Sequence, residues 1–225
     1  MDVTVRAPLL TAAFWRSRRS AAIAGIVFGV LLLVALTMLR IARSADSLQS
    51  LRTDPQRRTL IRLSLNLVPF AGIAFLWFIG VLRDQLGAVE DRLFSTVFLG
   101  SGLLFVAMLF VGAGTSTSLM ATLAGTSVNP EVYAFGRNTI RSLFSVYAMR
   151  MAAVFTLAVS TVGIRTSAVP RWVCYLGYLV GLTLLAAAGA YQWTQLVFPA
   201  WVLLLSLAIL FDRPLSRDSH PARVS

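Results

Sequence analysis

Apolar residues in this chain come in blocks close to 20 long, separated by stretches that carry arginine. A block of that length matches a hydrocarbon core of about 30 Å crossed by an α-helix rising about 1.5 Å per residue. Six blocks meet the criterion and predict spans at 21–39, 63–82, 94–118, 143–164, 172–190 and 193–211. The fold class that follows is all-α: a polytopic integral membrane helical bundle with six transmembrane helices. The first block is longer than the h-region of a signal peptide, about 7–15 residues, and reads as a retained span. Residues 1–20 form an Arg-rich N-terminus ahead of it, and 212–225, with Pro214 and Pro221, read as a flexible tail.

The finer pattern bears on how the blocks are joined. Between Phe94 and Ala124 no charge interrupts the chain, and the block passes from strongly apolar to the small, hydroxylated run Gly112-Ala113-Gly114-Thr115-Ser116-Thr117-Ser118. One helix of that length reaches roughly 46 Å, more than the bilayer core. It either projects into the headgroups or loosens at the Gly-Ala-Gly step. Only Tyr191-Gln192 separates the last two spans, which requires a tight antiparallel hairpin. Asn129-Pro130-Glu131 has the form of a helix start (cap, first-turn proline, acid at the positive end of the dipole) and predicts a short helix leading into span four. Ile41, Ala45, Leu48 and Leu51 recur at helical spacing, either as an interfacial helix or as an extension of span one.

Composition supports the membrane reading and removes most chemistry. Hydrophobic residues make up 57% and charged residues 13% of the 225, where soluble domains carry about 25% charged. All 20 basic residues are arginine, so lysine Schiff-base chemistry is excluded. One histidine, His220, and one cysteine, Cys174, cannot build a haem, zinc or redox-pair site. The nine acids all lie outside the apolar blocks, which leaves no intramembrane aspartyl pair and no mid-membrane proton carrier. No cofactor is expected. The net charge of +11 invites a nucleic-acid reading, but these arginines flank spans, where they anchor to headgroups and set orientation. No nucleic-acid partner is expected either.

With the N-terminus inside, the inner segments hold 11 arginines and the outer segments eight, with Arg150 unassigned inside span four. Both termini are therefore expected on the cytoplasmic side.

Five positions are candidates for function. Arg150 is the only ionisable side chain inside a span, and reads either as a snorkelling or structural arginine or as part of a ligand path. Asn66 and Pro69 open span two. The proline frees the Leu65 carbonyl beside an amide, which serves a cavity or ordinary packing. Thr115 and Ser116 either line a polar funnel or bond back to their own helix. Stripes of small residues, Ala21/Gly25/Gly29, Ala148/Ala152/Thr156/Ser160 and Gly177/Gly181, allow close helix approach within the chain or against another membrane protein. Carboxylates at Asp84, Glu90 and Asp91 offer a distant third possibility, a headgroup-level metal site, with no nucleophile beside it.

The run Leu65-Asn66-Leu67-Val68-Pro69-Phe70-Ala71-Gly72, continuing through Trp77 to Arg83-Asp84, with Glu90-Asp91-Arg92-Leu93-Phe94 and Phe98-Leu99-Gly100-Ser101-Gly102, resembles uncharacterised small multi-spanning membrane proteins of high-GC Gram-positive bacteria. The likeness covers about residues 60–112. It implies a multi-pass location in the bacterial inner (plasma) membrane and transfers no activity and no catalytic residue. Two readings stand: a non-enzymatic structural or accessory subunit, or a small transporter or channel for an anionic or neutral solute, with a cavity near Asn66, Pro69 and Arg150.

Overall fold

A computed structural model describes residues 7–43, 54–86, 92–123, 129–166, 169–191 and 193–211, without the side chains of 7–18, 43, 84–86 and 92–95. The helices are α1 (Ala7–Arg43), α2 (Pro55–Leu86), α3 (Arg92–Leu123), α4 (Pro130–Ser142), α5 (Ala148–Thr166), α6 (Arg171–Ala187) and α7 (Thr194–Phe211). A π-helical turn, Leu143–Tyr147, joins α4 to α5, so Pro130–Thr166 crosses as one rod. The result is an all-helical bundle of six rods, with no strand among the described residues. Five rods are long and apolar enough to cross a membrane, and α6 is the shorter sixth.

Several boundaries differ from the apolar blocks, each for a local reason. Helix α2 starts at Pro55, eight residues before the apolar run, because Asp54 caps it: Oδ1 accepts from the Gln56 and Arg57 amides at 2.9 and 3.3 Å. Helix α3 continues unbroken through Gly112–Ser118 to Leu123, so the long block projects beyond the core instead of loosening. Helix α1 already runs from Ala7 and reaches Arg43; residues 44–53 lie outside the described residues, as do the tail 212–225 and residues 87–91 with Glu90 and Asp91. Helix α6 ends at Ala187, not at 190. Ala188 (φ −57°, ψ 121°) and Gly189 (φ 83°) form a type II turn closed by the Ala190 amide on the Ala187 carbonyl at 3.1 Å. The second central position of that turn needs positive φ, which glycine adopts without strain.

Asn129 caps α4 as its sequence predicts, accepting from the Glu131 amide at 2.8 Å. The following π turn, in which the Ala148 amide reaches the Leu143 carbonyl, inserts an extra residue into the rod. Ser145 in that turn accepts a hydrogen bond from Gln195 Nε2 of α7, which fixes the turn against the neighbouring helix.

Helix α1 packs most extensively on α2 and α7, and α5 packs on α6 and α3. Where the rods converge the interior is aromatic. Phe28 of α1, Phe75 and Phe78 of α2, Phe105 of α3, Phe155 of α5 and Phe198 of α7 are all fully buried. Phe75 is the hub: its ring centroid lies 4.4 Å from Phe28, 5.2 Å from Phe105, 5.1 Å from Phe155 and 5.8 Å from Phe198. Tilted and edge-on pairs at these separations are the favourable ones. The cluster fills the middle of the bundle with rings.

The small-residue stripes sit at helix contacts inside the molecule. A β-carbon on Gly25 would collide with Ser206 of α7, one on Gly177 with Ser160 of α5, and one on Gly181 with Leu157 at 2.7 Å. Ala148, Ala152, Thr156 and Ser160 are all buried.

Candidate functional site

Several hydroxyls in the bundle satisfy themselves on their own helix. Ser116 donates to the Gly112 carbonyl at 2.7 Å and Thr115 to Val111 at 2.8 Å, each one turn back on its own helix. Ser64, Thr156 and Ser206 do the same. Thr115 and Ser116 therefore give their protons to backbone carbonyls of their own helix.

The other three candidates do not meet around one cavity. Arg150 is exposed on the outside of α5. It lies about 14 Å along the axis from Arg141, the nearest flanking arginine of the same rod. Pro69 is exposed on α2 and lines no described cavity. Asn66 does line one.

That cavity, about 260 Å³, lies between the first turns of α2 and the last turns of α3. Its wall on α2 is Arg58, Arg62, Leu65 and Asn66, and its wall on α3 is Thr117, Met120, Ala121 and Leu123. Arg58, Arg62 and Asn66 follow at four-residue spacing, which stacks them on one helix face about 6 Å apart. Further along, the helices close. The Phe110 ring lies so tightly on Gly72 that no β-carbon fits there, with Val106 beside it. Only glycine at 72 lets the ring sit on the α2 backbone, and the cleft ends above this contact. Between the two lies Pro69, which has no amide to offer the Leu65 carbonyl.

The start of α2 is held independently of the cleft. Arg57 Nε pairs with Asp54 Oδ2 at 3.0 Å, and Arg57 also donates to the Ala42 carbonyl near the end of α1 at 3.5 Å. Desolvation pushes the Asp54 carboxyl up, but the Arg57 and Gln56 amides and the Arg57 guanidinium together hold it below the ordinary value of 3.8.

Among its described lining residues the cleft has two arginines and an amide, and no acid. Arg62 and Arg83 bracket the apolar run of α2, 20 residues long, and the two positions lie about 31 Å apart along the axis, the thickness of a hydrocarbon core. On a stretch bounded in this way Arg58 lies one turn beyond Arg62 and Asn66 one turn within it. Arg58 and Arg62 read in the sequence only as loop arginines. Their face becomes visible once Asp54-Pro55 is recognised as a helix start of the same form as Asn129-Pro130.

Among the described residues no three histidine, cysteine or acidic side chains lie together as metal ligands. The side chains of Asp84, Glu90 and Asp91 are not among those described. No family model, curated protein or solved structure matches the chain.

Proposed function

We infer that this membrane-embedded protein is a non-enzymatic structural or accessory subunit of a bacterial plasma membrane, with both termini cytoplasmic. It docks on a membrane partner through the outer face of α5. The observation that carries the reading is Arg150. Its charged side chain is exposed on the outer face of α5, beside exposed Tyr147 and part-way along a span. A charge at that depth is expensive in lipid and favours an acidic group on a neighbouring helix. The small-residue stripes do not serve this role, because they are occupied within the chain. Supporting it from the other side, the phenylalanine cluster fills the middle of the bundle with buried rings.

The transport reading retains one specific support, the cationic cleft that reaches Asn66. Pro69 and Arg150 lie outside that cleft, and the Gly72–Phe110 contact closes it.

The test pairs assembly with flux. After crosslinking in native membranes, the wild-type chain should migrate in an assembly, Arg150→Leu should fall to monomer, and Arg150→Lys should retain the assembly through its charge. Purified protein in liposomes should pass no anion faster than empty vesicles. Saturable anion flux abolished by Arg150→Leu would replace this reading with a carrier. An assembly that Arg150→Leu leaves intact would remove the docking role.

A further inference from the structure

We propose that the cleft between α2 and α3 is a binding site for an anionic phospholipid, whose phosphate is held by Arg58, Arg62 and Asn66. Three observations converge on it, and none depends on the accessory-subunit reading.

The first is donor chemistry. Arginine presents a planar fork of N–H donors matched to phosphate oxygens, and an asparagine amide adds two more. These three residues stack on one face of α2 and all line the same cleft. Thr117 faces them but gives its own proton to the Ala113 carbonyl at 3.0 Å, so it contributes no competing donor.

The second is depth. The bracketing by Arg62 and Arg83 places Arg62 at the edge of the hydrocarbon, which is where the phosphate of a bilayer lipid sits. A soluble anion needs no site at that level.

The third is the floor. Beneath the cations the cleft is lined by Leu65, Met120, Ala121 and Leu123, and the Phe110 ring on Gly72 ends it. Such a floor suits the glycerol and first methylenes of an acyl chain leaving sideways into the bilayer. It offers nothing to a free phosphate. Two arginines, with no acid among the described lining residues, also disfavour the choline cation of a zwitterionic headgroup.

The full-length protein, purified in an uncharged detergent, is titrated with dioctanoyl phosphatidylglycerol, dioctanoyl phosphatidylcholine and inorganic phosphate. The shift in melting temperature gives an apparent affinity. Phosphatidylglycerol should give a saturable shift, phosphatidylcholine a far weaker one, and inorganic phosphate none. Arg58→Gln and Arg62→Gln should each weaken binding roughly tenfold, the scale of one charge-assisted contact. Arg83→Gln, at the opposite end of α2, lowers the net charge equally and should bind as wild type. Met120→Trp keeps both arginines, fills the floor and should abolish the shift; its own melt without lipid reports whether it folds. Equal protection by inorganic phosphate would make the ligand a soluble anion and overturn the lipid assignment. Equal protection by phosphatidylcholine, or equal weakening by Arg83→Gln, would overturn the site.

Discussion

The Arg40 guanidinium lies 3.5 Å from the centroid of the Trp193 ring. The pair joins the last turns of α1 to the entry of α7, which are among the most extensively packed rods of the bundle. An arginine that flanks a span and a tryptophan of the interfacial belt thus act on each other as well as on the membrane. Arg40→Ala and Trp193→Leu should each lower the melting temperature, and the double variant should lose less than the sum. A coupling of about 0.5–2 kcal/mol is expected for a cation over a ring. Strict additivity in the double-mutant cycle would show that the stacking contributes nothing.

Asp54 gives a prediction with a pH sign. Its carboxyl sits below the ordinary value of 3.8: desolvation raises it, and the amide and Arg57 contacts together outweigh that. A carboxyl depressed in the folded state stabilises it above the unfolded pKa, and the contribution is lost as pH falls through the lower folded value. Asp54→Asn keeps a capping side chain and removes the charge. It should melt below wild type at neutral pH, and the gap should narrow as the medium is acidified below pH about 3.9. A gap that stays constant with pH would assign the effect to the cap alone.

Ser160 is the one buried side chain among those described whose oxygen has no hydrogen-bond partner, and it faces Gly177. Gly177→Ala forces a β-carbon onto that oxygen and toward Trp201, and overpacking of this kind costs roughly 1–3 kcal/mol. Ser160→Gly in the same chain makes room and should recover most of the loss. Ser160→Ala alone should be neutral or stabilising, since it removes an unsatisfied hydroxyl. Failure of Ser160→Gly to rescue would place the clash at Trp201 instead.

Orientation is open to labelling because the native thiol is silent: Cys174 is 2% exposed, packed under Gly163. The unmodified chain should not react with a membrane-impermeant maleimide. Ser216→Cys should react only once the cytoplasmic face is opened. Reaction from outside intact cells would reverse the assigned orientation and leave the bundle unchanged.

These predictions rest on features of unequal visibility in the sequence. The six rods were legible because a bilayer demands a run of about 20 apolar residues and arginines punctuate the runs. The capped start of α4 was legible for the same local reason that makes it a cap. The start of α2 was not taken from the pattern, since Asp54 and Pro55 lie before any apolar periodicity begins. The phenylalanine cluster was invisible because a membrane helix is apolar all round, so nothing along one helix distinguishes Phe75, wholly buried, from Phe70, which is 63% exposed. The cleft depends on which helix lies beside Arg62, and no local spacing encodes that α3 does. Arg150 stood out at once as a charge in a span, yet its outward direction is a property of the packed rod.

Pro69 tests whether the shape of α2 maintains the cleft. A proline inside a helix removes one backbone bond and costs about 3 kcal/mol relative to alanine when nothing compensates. Here the lost bond would have ended on the carbonyl of Leu65, a lining residue, about two turns before Gly72 takes the Phe110 ring. Pro69→Ala restores the donor. If the first turns of α2 are held away from α3 by the proline, the variant should draw them together and narrow the cleft. It should then melt higher than wild type without lipid and bind dioctanoyl phosphatidylglycerol more weakly, with both arginines still present. A rise in stability with unchanged lipid binding would show that the cleft is set by the Gly72–Phe110 contact and the Asp54 cap, and that the proline is incidental. No change in either quantity would mean that the α2 backbone already accommodates the missing bond, and the proline would have no part in shaping the site.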